Sequence, residues 1–425
     1  MLFKAKADKT FLLAIVLLVP RTSSGSRSHG DSDSFFENIK DIFENGGAVA
    51  VKLFVDKELN EWKNVRINLA VLGTSGTGKS SFINTVLGLT ADDEGSAAVG
   101  VKETTETISE YPHPQYPNLV LWDLPGVGTP TFNRENYSKK VNLYRFDYFI
   151  FMTSDRFRDD DVWLAKQVNA LGKLFYFVRN KVGQDIKNNK YDHPKSHSDA
   201  AVLDDIRHNC EHNLQKLNLD RKIQIYLTDL HEPEKYDFEK LMDQVISDAP
   251  EYKKETLILS MTHLTNTLIN REKEILSERI HYMSMLSGLT GAIPVPILDS
   301  AVDIGILTEE AMFYRAQLGL RDEMLEAFAE KSQMTIEQLT NNLDLQSRII
   351  GLSAKGLVSY FTKKGMKKAS TFTSAKFIKY FLPMIGNVAS GAASYAMTSW
   401  CLEDLLDIMV QDAIKINEYK MHWNN

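Results

Sequence analysis

A chain of 425 residues has room for two or three domains with proper cores, and 43% hydrophobic and 25% charged residues are the proportions of a globular protein. Two cysteines, Cys210 and Cys401, exclude a disulfide framework and fit a reducing compartment with both thiols buried, and no Cys/His spacing suggests zinc. The net charge of −7 is unevenly spread: from Leu345 to Leu402 there is no Asp or Glu, but there are Arg348, Lys355, Lys363, Lys364, Lys367, Lys368, Lys376 and Lys379. A basic block on an otherwise acidic chain points to an anionic partner, nucleic acid or membrane.

The chain opens on MLFKAKADKTFLLAIVLLVPRTSSGS, which runs from lysines through the apolar stretch Phe11 to Pro20 into small polar residues. That is the shape of a signal peptide, and the stretch is too short to span a bilayer as a helix. A secretion signal, a peripheral anchor and a misassigned first exon are the readings open for residues 1–30. No Met-Gly start is present for myristoylation. Residues 31–62 predict helix, since Phe35, Phe36, Ile39, Ile42 and Phe43 recur at helical spacing behind Asp and Ser.

Five β-rich runs follow: VRINLAVLG (65–73), NLVLWDLPG (118–126), FDYFIFMTS (146–154), KLFYFVRNK (173–181) and KIQIYLTDL (222–230). Near-continuous apolar strands separated by helix-length segments predict a mostly parallel sheet covered on both faces, an α/β fold. ISEYPHP (108–114) could add an edge strand, with Pro112, Pro114 and Pro117 marking the turn after it. Beyond about residue 250 the strand signal stops, and ETLILSMTHLTNTLINREKEILSERIHYMSML predicts one long helix with further helices to the C-terminus. The expected division is therefore 1–30, helices in 31–63, an α/β domain in 64–250 and an all-helical region in 251–425.

Chemistry concentrates in the α/β part. GTSGTGKSSFIN places Gly73, Gly76, Thr77, Gly78, Lys79, Ser80 and Ser81 in a G-x-x-x-x-G-K-[ST] pattern between a strand and a helix. Glycines let successive N–H groups turn toward phosphates, and the following helix adds its positive N-terminus. Lys79 would reach the β- and γ-phosphates and Ser80 would bind Mg²⁺. WDLPGVG ends the next long strand, with Asp123 placed to hold magnesium through water and the Gly126 N–H to meet the γ-phosphate. Many small GTPases have a water-orienting glutamine after that glycine; here the residue is Val127. Between the two motifs, GVKETTET offers Thr104, Thr105 and Thr107 as switch threonines and Glu103 to position a water.

These segments resemble the immunity-related GTPases, the interferon-inducible IRG family of vertebrates. The likeness is carried by GTSGTGKSSFIN, WDLPGVGTPTF, FDYFIFMTSDRF, KLFYFVRNKV, IRHNCEHNLQK, YDFEKLMDQVISDAPEYKK, AIPVPILDSAVDIGIL and FLPMIGNVASG, and it extends from about residue 34 to 418. It implies a Ras-like P-loop G domain carried on a helical domain built from both chain ends. It also implies slow GTP hydrolysis, homo- or hetero-assembly with other IRG GTPases through the G domains, and cell-autonomous innate defence on endomembranes such as the endoplasmic reticulum or pathogen vacuoles. Lys79 places the chain with the Gly-Lys-Ser members. Matching GVKETTE to the family switch would make Thr105 the magnesium threonine and Glu103 the catalytic glutamate.

The segment that reads guanine departs from the family's Thr/Asn-Lys-x-Asp. Asn180 and Lys181 match, and the stem of Lys181 can pack along a base, but Gly183 stands where a carboxylate should. Losing two charge-assisted hydrogen bonds to the base should cost about 2–4 kcal/mol. Three possibilities follow: Asp185 swings in from a looped VGQD, Asp229 replaces it from the loop after the next strand with Thr228 beside it, or nothing does.

In the basic region, GLSAKGLVSYFTKKGMKKASTF puts Leu357, Tyr360 and Phe361 on one side of a helix and clusters Lys363, Lys364, Lys367 and Lys368, which suits an anionic membrane surface or, equally, a solvated face over a packed core. No nucleic-acid recognition fold is visible. The uncharged run from Tyr380 to Leu402 reads as a buried helix hairpin and not a membrane span, because Pro383, Asn387, Ser390, Ser394 and Thr398 interrupt it. The expectation is a cytoplasmic, peripherally membrane-bound GTPase using GTP or GDP with Mg²⁺. The alternative is a non-hydrolysing nucleotide-binding scaffold with weakened guanine selectivity.

Overall fold

The computed structural model describes residues 29–100, 107–127, 132–154, 159–215, 223–261, 265–291, 299–369 and 391–423. The apolar N-terminal stretch, Glu103, Thr104 and Thr105, and the first part of the uncharged run from Tyr380 lie outside them. The described residues form two compact units: Trp62–Leu268 is one, and the residues before Trp62 together with Ile269–Trp423 are the other.

The first unit is built on a sheet of β1 (Ile67–Leu72), β2 (Ser109–Pro112), β3 (Leu119–Asp123), β4 (Tyr148–Thr153), β5 (Leu174–Arg179) and β6 (Ile225–Leu227). The order is β2-β3-β1-β4-β5-β6, with every pairing parallel except β2 with β3. The five apolar runs thus become the parallel strands, and ISEYPHP supplies the antiparallel edge. Every residue of β4 is buried, which is why this strand reads as an unbroken apolar run. Helices α1 (His29–Glu58), α2 (Lys79–Leu87), α3 (Arg134–Val141), α4 (Asp159–Ala170), α5 (Val182–Asp192), α6 (Asp199–Gln215), α7 (Phe238–Ser247) and α8 (Glu251–Ser260) follow in chain order, and all but α1 belong to this unit. Phe82 of α2 meets Phe238 of α7 edge to face, ring centres 5.9 Å apart, while Phe149, Phe151, Phe177 and Tyr137 pack together in the sheet's aromatic core.

The second unit is helical: α1, α9 (Asn266–Gly291), α10 (Asp299–Gln317), α11 (Asp322–Lys331), α12 (Ile336–Asn342), α13 (Gln346–Ile350), α14 (Ala354–Ala369) and α15 (Gly391–Trp423). Gly47 interrupts α1 with a φ of 66°, so α1 is two helices joined at a kink. Arg279 of α9 forks onto both carboxylate oxygens of Glu310 on α10, Nε to each at 2.9 Å, and donates through Nη1 to the Leu59 carbonyl at 3.1 Å. Its guanidinium lies 4.1 Å from the centre of the Phe313 ring. A fully fork-bonded buried pair of this kind fixes how α9 and α10 register. Cys210 and Cys401 are both buried and form no disulfide. No helix among the described residues is long and apolar enough to cross a membrane.

Two boundaries fall elsewhere than expected, and one of two open readings is favoured. The sheet-bearing unit does not stop at residue 250; it runs on to Leu268. Helix α8 belongs to it because Leu257, Ile258 and Leu259 are buried, Thr256 Oγ1 donates to the Trp62 carbonyl at 3.0 Å, and Lys253 pairs with Asp147 at 2.6 Å. The single long helix from Glu255 is instead α8 and α9, because Thr265 caps the second: its hydroxyl accepts the Leu268 N–H at 3.2 Å. The apolar side of α14 is not free: Leu357 and Phe361 are buried, and the Phe361 and Trp400 ring centres are 5.5 Å apart. Lys364 is tied to Asp404 on α15, which also accepts from Tyr360 Oη at 2.9 Å, while Lys355 and Lys363 stay exposed.

Leu257→Ala should destabilise the first unit by about 2–5 kcal/mol, seen as a lower urea midpoint of its tryptophan fluorescence. Tyr252→Ala, on the exposed side of the same helix, should change it by less than about 0.5 kcal/mol.

Candidate functional site

The C-terminal ends of β1, β3, β5 and β6 gather the motif residues at one edge of the sheet. Between β1 and α2 the chain turns tightly: Thr77 bonds the Thr74 carbonyl through both its N–H (3.4 Å) and its hydroxyl (2.9 Å). Gly78 sits at a φ of 99°, and a Cβ there would lie 2.3 Å from Asn180 Nδ2, so only glycine fits. No side chain caps α2, which leaves its N-terminal N–H groups to face the loop. Lys79 is buried at the first position of this helix, with Nζ 3.5 Å from the Thr74 carbonyl.

Ser80 Oγ lies 3.4 Å from Asp123 Oδ2 at the buried end of β3. A hydroxyl and a carboxylate meeting beside an anion-facing helix end are the hard oxygen donors that magnesium takes, so these residues fit that ion. Gly126 follows closely against the loop; a Cβ there would be 3.7 Å from the Gly73 carbonyl oxygen. The carbonyl of Pro125 accepts from the buried Tyr137 hydroxyl at 2.9 Å, which anchors the DLPG turn. Val127 packs toward the core. Of the switch candidates, Thr107 is exposed, and Glu103, Thr104 and Thr105 lie outside the described residues.

The base-reading segment is joined to the phosphate loop by one amide. Asn180 Nδ2 donates to the Thr77 carbonyl at 2.9 Å, and its Oδ1 accepts from Thr228 Oγ1 at 3.2 Å. Lys181 is exposed, in the left-handed region at a φ of 65°, and α5 begins at the next residue. VGQD is therefore the first turn of a helix. Asp185 instead pairs with Arg179 Nη2 at 2.7 Å.

Asp229 is placed differently. It is 8% exposed, and its carboxylate accepts the Gly183 N–H at 3.2 Å and the His231 N–H at 3.1 Å. A Cβ at Gly183 would lie 2.6 Å from Asp229 Oδ2 and 3.4 Å from the Tyr236 hydroxyl oxygen. Burial raises the Tyr236 phenol above its ordinary value; Lys235 opposes this, and Glu232 and Asp229 add to it. Sequence reasoning gave no role to Arg179 or Tyr236: the first ends an apolar strand and reads as its polar tail, and the second opens the YDFEKLMDQVISDAPEYKK segment, where nothing local points to the base site. Ser81 is the third residue of α2, where its carbonyl accepts from Thr85 Oγ1 at 2.8 Å.

Comparison with known proteins gives the family. A family model described as interferon-inducible GTPase (IIGP) matches residues 32–419. T-cell-specific guanine nucleotide triphosphate-binding protein 2 of Mus musculus is 30% identical over 400 residues, covering 90% of this chain and 92% of that protein. Interferon-inducible GTPase 5 of Rattus norvegicus is 31% identical over 382 residues, 89% of this chain and 81% of that protein. Interferon-inducible GTPase 1 of Mus musculus is 35% identical over 287 residues, 67% and 69% of the two chains. With a family match spanning both units and a parallel sheet that carries the phosphate-loop motif, the chain belongs to the interferon-inducible GTPase family.

Proposed function

We propose that this chain binds GTP and GDP with magnesium at the β1–α2 loop, hydrolyses GTP slowly and assembles with copies of itself or with related GTPases through the sheet-bearing unit. The observation that carries the reading is the meeting of Ser80 and Asp123 beside the uncapped start of α2 and the buried Lys79. The loop N–H groups and the Lys79 ammonium would hold the β- and γ-phosphates in line. Ser80 and Asp123 would hold magnesium, whose charge would offset that of the phosphate oxygens. The Gly126 N–H would meet the γ-phosphate. Val127 has no polar group to orient a water, so that task would fall to Glu103, with Thr105 closing on the metal, as the family resemblance implies; this is why hydrolysis is expected to be slow.

Membrane association is proposed through charge and not insertion. The apolar side of α14 is packed within its own unit, so the exposed Lys355 and Lys363, with the positive charge of the segment around them, would act on anionic headgroups as a surface field. The reading fits a cytoplasmic protein held peripherally on endomembranes.

In single-turnover assays with excess protein, Lys79→Ala should lower GTP affinity by about 100-fold or more, and Asp123→Asn should reduce hydrolysis by at least about tenfold with a smaller loss of GDP binding. A wild-type rate equal to that in buffer would replace this reading with a nucleotide-binding scaffold. Sedimentation with phosphatidylserine vesicles should fall several-fold as ionic strength rises from about 0.1 to 1 M, where the Debye length shortens from about 10 to 3 Å. Salt-independent binding would mean insertion instead.

A further inference from the structure

Gly183 removes the carboxylate that should grip the base, yet the space beside it holds one. Asp229 Oδ2 lies 2.6 Å from where a Cβ at position 183 would stand, comparable to the separation between a Cβ and a carboxylate oxygen within one aspartate. The group is held there: Gly183 and His231 each donate a backbone N–H to it, at 3.2 and 3.1 Å. It is reached from the loop after β6, whose preceding residue, Thr228, is bonded to Asn180. The competing carboxylate, Asp185, faces Arg179. We propose that Asp229 is the guanine-specificity residue of this chain, standing in from the β6–α7 loop for the aspartate that α5 lacks. The inference rests on the nucleotide site proposed above and adds what reads the base.

The exchange has a steric logic. An aspartate at 183 would crowd Asp229 in its present position, because the new Cβ would lie 2.6 Å from Oδ2, the oxygen that accepts the Gly183 N–H, and that carboxylate would have to shift. Glycine at 183 leaves the room in which Asp229 sits where it does. From there an ionised carboxylate would accept the N1–H and the 2-amino group of guanine, which adenine cannot offer in that arrangement. Xanthine carries a carbonyl in place of the 2-amino group, so it should be repelled by a carboxylate and accepted by an amide.

The test is equilibrium titration of GTP, ITP, XTP and ATP with magnesium on the full chain. Wild type should prefer GTP over ITP, which lacks the 2-amino group, and both over XTP and ATP. Asp229→Asn should weaken GTP by about 30-fold or more and raise XTP relative to GTP at least about tenfold. Gly183→Asp combined with Asp229→Ala should return the guanine preference, since the carboxylate is restored from α5 with its space vacated. If Asp229→Asn does not fold, the wild-type series and the double variant decide. A wild type that binds GTP, ITP and XTP alike overturns the proposal while leaving phosphate binding intact. So does a GTP-to-XTP ratio that ignores Asp229→Asn or moves with Asp185→Asn. Binding of no nucleotide at all overturns the site itself, and with it this inference.

Discussion

The side-chain amide of Asn180 holds the candidate site together. It donates to the Thr77 carbonyl in the phosphate loop and accepts from Thr228 in the loop after β6, while its backbone N–H bonds the Thr153 carbonyl at the end of β4. An amide is suited to this because it offers a donor and an acceptor in one rigid plane. Buried at 2% exposure, it does so where water cannot compete. Gly78 is part of the same constraint, since any side chain there would displace the amide. The phosphate loop and the base-side loops are thereby one assembly, positioned as a unit at the carboxyl ends of parallel strands where open α/β sheets bind their ligands.

The rest of the sheet-bearing unit supports that edge. The parallel strands are largely buried, the Tyr137 hydroxyl fixes the DLPG turn, and Lys253 with Thr256 fastens α8 to the same body. The helical unit has its own fixed point in the Arg279–Glu310 pair, which also takes up the Leu59 carbonyl, so the segment before the sheet and the segment after it are held in one core. Each unit thus encloses its own polar anchor within apolar packing.

How much of this was legible follows from the range of the interactions involved. The phosphate loop, Asp123 and the parallel strands were readable because each is written in contiguous residues: a Gly-rich turn between strand and helix, and apolar runs such as that of β4. The break between α8 and α9 was not, since Met261 and Leu268 continue a helical apolar pattern and only the Thr265 hydroxyl in place reveals a cap. The role of α14 was ambiguous for another reason: amphipathic spacing is the same whether Leu357 and Phe361 meet lipid or their own core. Asp185 lies two residues from Gly183 in sequence, but in the fold it stands on a helical turn and pairs with Arg179. Asp229, 46 residues away, is close only through the pairing of β5 with β6.

The close approach at Gly183 also couples what can stand at positions 183 and 229. Acquiring Asp229 while an aspartate remains at 183 brings two carboxylates into one small volume, with steric overlap and like-charge repulsion together. Losing the aspartate at 183 first costs only hydrogen bonds and leaves room. An aspartate at 229 is therefore accommodated more readily beside glycine at 183 than beside a second aspartate. Substitution patterns at either position carry meaning only when the other is read with it.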